Sequence, residues 1–247
     1  MKNFDLIYGL HAVKTVVETR PKDIVQLLLS ADRHDKRLNI IKELAQKHNV
    51  PCETISHSVL EKWVGEGARH QGVIAKCKPL SVWTEKILMD CVENRSTPIV
   101  LLILDGVQDP HNLGACLRSA NAFGVTAVIA PKDRAASITD VVRKVACGAA
   151  EQTPFVAVAN LHRTLLQLKE QGIWLVGLDS EAALGLSQVD LKGNVGIVMG
   201  GESDGMRRLT KEACDYLAQI PMQGSVESLN VSVATGVTLY EVRRQRK

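Results

Sequence analysis

A chain of 247 residues with 45% apolar but only 4% aromatic side chains has material for one or two real cores, built on Val, Leu, Ile and Ala rather than on rings. Its formal charge of +3 excludes a dominant basic tail and leaves any nucleic-acid binding to a local patch. The apolar runs are far too short to span a bilayer. Asp5 and Lys14 interrupt the N-terminal apolar residues where a signal peptide needs continuity, so a cytoplasmic protein with no membrane partner is expected.

The charge is unevenly placed. Residues 1–76 carry 12 Lys and Arg against 9 Asp and Glu, while the rest carries 18 of each, and five of the seven His lie in the first part. A polyanion is therefore drawn, weakly, to the N-terminal segment. The six Cys (Cys52, Cys77, Cys91, Cys116, Cys147 and Cys214) form no C-x-x-C pair. A zinc ribbon or thioredoxin motif is unsupported, no metal is expected, and the thiols read as buried and reduced.

In chain order, 4–8 and 24–29 read as strands and 12–19 and 36–48 as helices. Strands at 52–55 and 72–75 follow, around a helical 59–64. This alternation implies an α/β layer fold that closes near Cys77, giving a first domain over 1–77. Residues 78–97, with Pro79 near one end, read as a linker containing a helical pattern at 85–91. From 98 to 247 a second set begins. Continuous apolar runs at 99–104, 127–130, 155–158, 174–178 and 196–199 suit parallel strands covered on both faces. Helical segments near 112–123, 139–146 and 161–171 separate them, and a helix at 231–244 ends the pattern.

Three clusters in this second set lie at or just after the carboxyl ends of predicted strands, where open α/β sheets bind ligands. In the first, Leu104-Asp105-Gly106 leads through Pro110 to Asn112, a possible helix cap, and to Arg118. Leu113, Cys116, Leu117 and Ala120 share one helical stripe, and Arg118 falls about 150° from its centre. It is either a solvated surface residue or a guanidinium aimed at a phosphate or a partner subunit. In the second, a buried strand runs into Gly200-Gly201-Glu202 and then Gly205. The spacing is not that of a dinucleotide or Walker loop, and a simple surface turn is as good a reading as a site. In the third, Ile220-Pro221-Met222 gives way to Ser228-Leu229-Asn230 and a helix, where Ser228 or Asn230 serves as an N-cap or faces a site.

Together and in this order, the clusters resemble the three motifs of the SpoU family of the SPOUT superfamily, the RNA 2′-O-ribose methyltransferases. Asp109-Pro110-His111-Asn112-Leu113-Gly114 to Arg118 is similar to the first, Gly200-Gly201-Glu202 to Gly205 to the second, and Pro221-Met222 to Ser228-Leu229-Asn230-Val231-Ser232-Val233-Ala234 to the third. Tyr8-Gly9-Leu10-His11-Ala12-Val13 and His70-Gln71-Gly72-Val73-Ile74-Ala75 resemble the L30e-like, ribosomal-protein-L30-like substrate-binding domain of such enzymes.

The resemblance implies an α/β protein with that L30e-like domain followed by a SPOUT domain carrying a deep trefoil knot, assembled as a homodimer with the site at the subunit interface. It implies S-adenosyl-L-methionine as cofactor, held by Gly200, Ile220, Met222 and Leu229. Arg118, Glu202 and Asn230 take catalytic roles, with Asn112, Arg118, His11 and Arg69 toward RNA. His70 is a further candidate for RNA contact; caps and core-edge polar residues are the plainer reading of the N-terminal ones. The implied reaction is 2′-O-methylation of a guanosine in the peptidyl-transferase region of 23S rRNA. The alternatives are a tRNA 2′-O-methyltransferase, a non-catalytic RNA-binding protein on the same scaffold and, disfavoured for want of a dinucleotide fingerprint, a nucleotide-binding oxidoreductase.

Overall fold

A computed structural model describes residues 4–33, 36–65, 67–78, 83–202 and 204–247. They form two compact units, Met1–Ser81 and Val82–Lys247. Among the described residues, no helix is long and apolar enough to cross a membrane.

The first unit runs β1 (Asp5–Tyr8), α1 (Leu10–Thr19), β2 (Ile24–Ser30), α2 (Lys36–Lys47), β3 (Cys52–Ile55), α3 (His57–Val64) and β4 (Val73–Cys77). Its sheet has the order β1-β4-β2-β3. β4 is antiparallel to β1 and β2, and β2 is parallel to β3. The two-residue period of a strand sends Leu27 and Leu29 to one face, with Val13 of α1 and Ile41 of α2, and Leu28 to the other, with Ile74 and Leu60 of α3. Each such leucine contributes about 1.5–3 kcal/mol by leaving water.

The β1–β4 pairing, with Tyr8 opposite Ile74, also brings the two N-terminal motifs together. Gly9 turns the chain at φ 94°, and Gln71 Oε1 accepts from the Leu10 amide at 3.0 Å, satisfying one of the free donors at the start of α1.

The second unit runs α4 (Glu85–Glu93), β5 (Val100–Asp105), α5 (Pro110–Ala122), β6 (Ala127–Pro131), α6 (Asp140–Ala146), β7 (Phe155–Val158), α7 (Leu161–Glu170), β8 (Trp174–Leu178), β9 (Leu184–Gly185), β10 (Val195–Gly200), α8 (Arg208–Ala213), β11 (Tyr216–Gln219) and α9 (Val231–Gln245). The sheet order is β7-β6-β5-β10-β8-β11-β9 and every pairing is parallel. This is the architecture that continuous apolar runs predict, because both faces are covered. On β5, Leu102 and Leu104 pack with α5, α6 and α9, while Leu101 and Ile103 pack with α4, α7 and α8.

Two details differ from the sequence reading. The helical pattern expected at 85–91 within the 78–97 linker forms α4, but it is more than a connection: its Leu88 and Val92, one turn apart, are fully buried in the second unit's core. Of the thiols, Cys77 and Cys116 are buried, but Cys52 is exposed and Cys91, Cys147 and Cys214 are half-buried; an apolar neighbour in sequence does not place a side chain inside.

From β5 the chain moves outward through β6 to β7. It then returns to the other side for β8, and later inserts β10 between β5 and β8. The direction of winding reverses at the β5–β10 boundary, where Asp105 lies beside Gly200. Such switch points leave a crevice at the strand ends.

Candidate active site

At that crevice β10 leaves the sheet through Gly200 and Gly201. A Cβ on Gly200 would collide with the backbone of Gly205 and Met206, and one on Gly201 would sit 2.8 Å from the Gly106 carbonyl oxygen. The loop doubles back on itself: the Gly201 and Gly205 amides each donate to the other's carbonyl, at 3.0 and 3.2 Å. The paired glycines are therefore required by close backbone approach, not by loop flexibility. Asp105, 1% exposed, anchors the far side of the loop. It accepts from the Arg207 amide at 2.9 Å and pairs with the Arg207 guanidinium at 2.9 Å. In the sequence Asp105 stands out only as a carboxylate that ends a wholly apolar strand.

The loop walls a cavity of about 610 Å³ lined by Gly200, Glu202, Ile220, Met222 and Leu229. All four residues expected to hold a cofactor thus meet in one space. Asp179 and Lys211 also line it and are ion-paired. The Lys211 ammonium holds the Asp179 carboxyl below its ordinary value, against the opposing effect of burial.

Glu202, Asn112 and Asn230 form one hydrogen-bonded triangle. Asn112 donates its side-chain amide to Glu202 Oε1. Asn230 Nδ2 is 3.1 Å from both Glu202 Oε1 and Asn112 Oδ1. The other end of the Asn230 side chain caps α9, accepting from the Ser232 amide at 3.0 Å and its hydroxyl at 2.6 Å. Cap and site residue are one and the same. At α5 the cap is Asp109, whose carboxylate accepts from His111 N at 2.9 Å. This corrects the expected cap at Asn112: Pro110 takes the first helical position, which suits its missing N–H, and puts Asn112 inside the helix, 9% exposed. Cys116 lies below this network. Burial pushes its thiol up to about 11, with Glu202's charge adding to the rise and the Thr235 hydrogen bond opposing it, so it stays protonated near neutral pH.

Arg118 is elsewhere. Six residues beyond Asn112, it lies about 9 Å along the helix and about 120° round it. It is exposed, and its Nη1 donates to Cys147 Sγ at 3.6 Å. The Glu202 carboxylate is engaged by the two asparagines and not by Arg118.

In the first unit His11 and Arg69 are exposed, whereas His70 is 2% exposed. His70 Nδ1 accepts from the Gly72 amide at 3.2 Å. Burial first, then the neighbouring His57, lowers its pKa. Ligand atoms of His57, Glu61 and His70 lie within 4.8 Å of one another. The Gly72 bond, however, makes Nδ1 the acceptor of the neutral ring and leaves the proton on Nε2. His70 therefore serves the turn rather than a metal.

A parallel α/β domain with a glycine-walled cleft at its switch point, braced by an amide–carboxylate network, belongs to the small-molecule-binding class of such folds. Residues 99–240 match the SpoU rRNA Methylase family, and residues 6–83 match the family described as RNA 2′-O ribose methyltransferase substrate binding. The chain belongs to the SpoU rRNA methylase family. It is 53% identical over 247 residues to the 23S rRNA (guanosine-2′-O-)-methyltransferase RlmB of Coxiella burnetii, covering 100% of this chain and 98% of that one. It is 52% identical over 246 residues to the protein of the same name in Pseudomonas aeruginosa, covering 100% and 98%. The solved SpoU methyltransferase AviRb from Streptomyces viridochromogenes, in complex with the cofactor AdoMet, shares the fold at a TM-score of 0.79 and 22% identity, covering 99% of this chain and 91% of that one.

Proposed function

We infer that this chain methylates the ribose 2′-hydroxyl of a guanosine in 23S rRNA, with S-adenosylmethionine as donor. The observation that carries this is the 53% identity along the whole chain to an enzyme of that name. The cleft fits the cofactor. Its volume of about 610 Å³ falls in the range of small-molecule sites. Ile220 and Leu229 offer apolar walls to an adenine, Glu202 and Asp179 offer carboxylates to a cationic centre, and Gly200 lets the loop backbone close against Gly205 and Met206 at the cleft's edge. When bound, the cofactor supplies an electrophilic methyl group; the protein supplies position and electrostatics.

Arg118 holds the phosphate beside the target ribose and stabilises negative charge developing on its 2′-oxygen. It is not the base, because a guanidinium stays protonated; the 2′-hydroxyl proton passes to solvent water as the methyl group is accepted. Asn112, buried and bonded to Glu202, positions the cleft rather than touching RNA. With Asn230 it ties the start of α5, the glycine loop and the start of α9 into one frame. His11 and Arg69 face RNA from the first unit.

Two features of the assembly belong to the same reading. The outer face of α9 carries Val233, Val237 and Tyr240 at helical spacing, 50%, 41% and 58% exposed, and Tyr240 packs edge-on against Phe123 at the end of α5. A stripe of this kind beside Arg118's helix suits a second copy of the chain, whose cleft Arg118 then completes. The trefoil knot is carried into this reading by the resemblance of the motifs alone. Gln245 accepts from the Leu191 amide at 3.0 Å, and Arg246 donates to the carbonyls of Leu191 and Ile99 at 3.0 and 3.2 Å, so α9 ends seated against loops that precede it.

The test is to map ribose methylation on 23S rRNA, its peptidyl-transferase region first, from cells with and without this protein. One guanosine should lose its methyl group. Loss on tRNA instead would move the substrate, and no transfer from labelled cofactor to any RNA would remove the enzymatic reading.

A further inference from the structure

Arg118 has one short polar contact that the reaction does not explain, and its partner sits in unusual backbone. Cys147 ends α6 with φ 53° and ψ 41°, in the left-handed region that residues other than glycine rarely adopt. Gly148 follows at φ 91°. The double left-handed turn directs the Cys147 sulfur at Arg118 Nη1, 3.6 Å away, while the thiol donates to the Lys144 carbonyl at 3.7 Å. With its proton committed to Lys144, the sulfur presents a lone pair to the guanidinium.

The turn is held on both sides. Upstream, α6 packs so closely on α5 that a Cβ at Gly114, one turn before Arg118, would lie 2.7 Å from Val145. Downstream, Asn121 Nδ2 reaches Thr153 Oγ1 at 3.3 Å. Between them Glu151, 3% exposed, is paired with Arg143 at 2.9 Å and locks the segment after Cys147 to α6. A long, exposed arginine gains most from such a clamp, because an unheld side chain must lose its rotamer freedom each time it binds a phosphate.

We propose that Cys147 is a positioning residue, the left-handed end of α6 being shaped to hold the Arg118 guanidinium in the orientation that meets RNA. This rests on the reading of Arg118 as the group that acts on the target nucleotide.

The experiment compares Cys147→Gly, Cys147→Ala and Cys147→Ser with the parent and with Arg118→Ala, measuring kcat, KM for each substrate and thermal stability. Glycine accepts φ 53° freely, so Cys147→Gly keeps or gains stability. Nevertheless kcat falls about 3–10-fold in the Gly and Ala variants, the effect of losing one modest hydrogen bond. KM for S-adenosylmethionine stays unchanged, and Ser, which restores an acceptor, recovers most of the rate. Unchanged kcat in Cys147→Gly and Cys147→Ala, while Arg118→Ala is inactive, would overturn the proposal and leave Arg118's role standing. A fall in kcat that tracks lost stability would overturn it too, as a structural effect. Full activity in Arg118→Ala would remove the reading on which it rests.

Discussion

The cleft and the outer face of α5 sit on the same domain but are finished to different degrees. At the cleft, Asp105, Glu202, Asn112 and Asn230 bond to one another or to neighbouring backbone, and the glycine loop closes on itself. On the outer face, Arg118 extends exposed from the helix, its Nη1 donating to the Cys147 sulfur. The contrast teaches that a single chain closes the cofactor side of the reaction and leaves the Arg118 face open, the face that the proposed function gives to RNA and a second copy of the chain.

The largest expected effect comes from removing the open half. Arg118→Ala should lower kcat about 10²–10³-fold, the scale of losing one oxyanion-stabilising donor, with cofactor affinity by calorimetry unchanged. Arg118→Lys should recover little, because an ammonium cannot grip a phosphate with two parallel donors; full activity in it would rule out the clamp. The converse lesion is Gly200→Ala. Forcing a methyl into the Gly205 backbone should cost about 1–3 kcal/mol and abolish cofactor binding while the first unit still binds RNA.

Asn230 separates cap from frame. Asn230→Ala should lose about 1 kcal/mol in denaturant unfolding. Asn230→Asp keeps the cap acceptor but faces the Glu202 carboxylate, so it should retain more of the stability yet bind the cofactor more weakly; equal cofactor affinity in the two variants would separate the triangle from the cleft. The smallest effect is a pH dependence. Lys211 depresses Asp179 in the folded state, so their pair contributes stability above the ordinary carboxylate pKa of about 3.9. That contribution is lost as pH falls through the lower folded value. Between pH 5 and 3 the parent should lose slightly more stability than Asp179→Asn.

Much of this was legible in the sequence. Continuous apolar runs declare parallel strands because both faces are buried, and the α5 stripe of Leu113, Cys116, Leu117 and Ala120 declares which way Arg118 points. What escaped are relations between residues far apart in the chain. Nothing local joins Asn112 to Glu202 or Asp105 to Arg207, because loop closure over such distances is decided by the whole sheet. The glycines at 200 and 201 read equally well as a surface turn until β5 and β10 lie side by side and Gly106 blocks the space. Asn112 competes with Asp109 as a cap in the sequence, although Pro110 marks the first helical position and so leaves the cap to Asp109. The ordered motifs, not periodicity, brought Ile220, Met222 and Leu229 to one cavity.

The most direct test of the division between a closed cleft and an open face is a mixing experiment. Arg118→Ala keeps an intact cleft, and Leu229→Trp fills the cleft while keeping Arg118; each variant alone should be inactive. If Arg118 serves the partner's cleft, random exchange gives mixed dimers with one complete site, and activity should return to about a quarter of the parent's. No recovery after exchange, with mixed dimers present by mass spectrometry, would contradict the account and place Arg118 over its own chain's cleft.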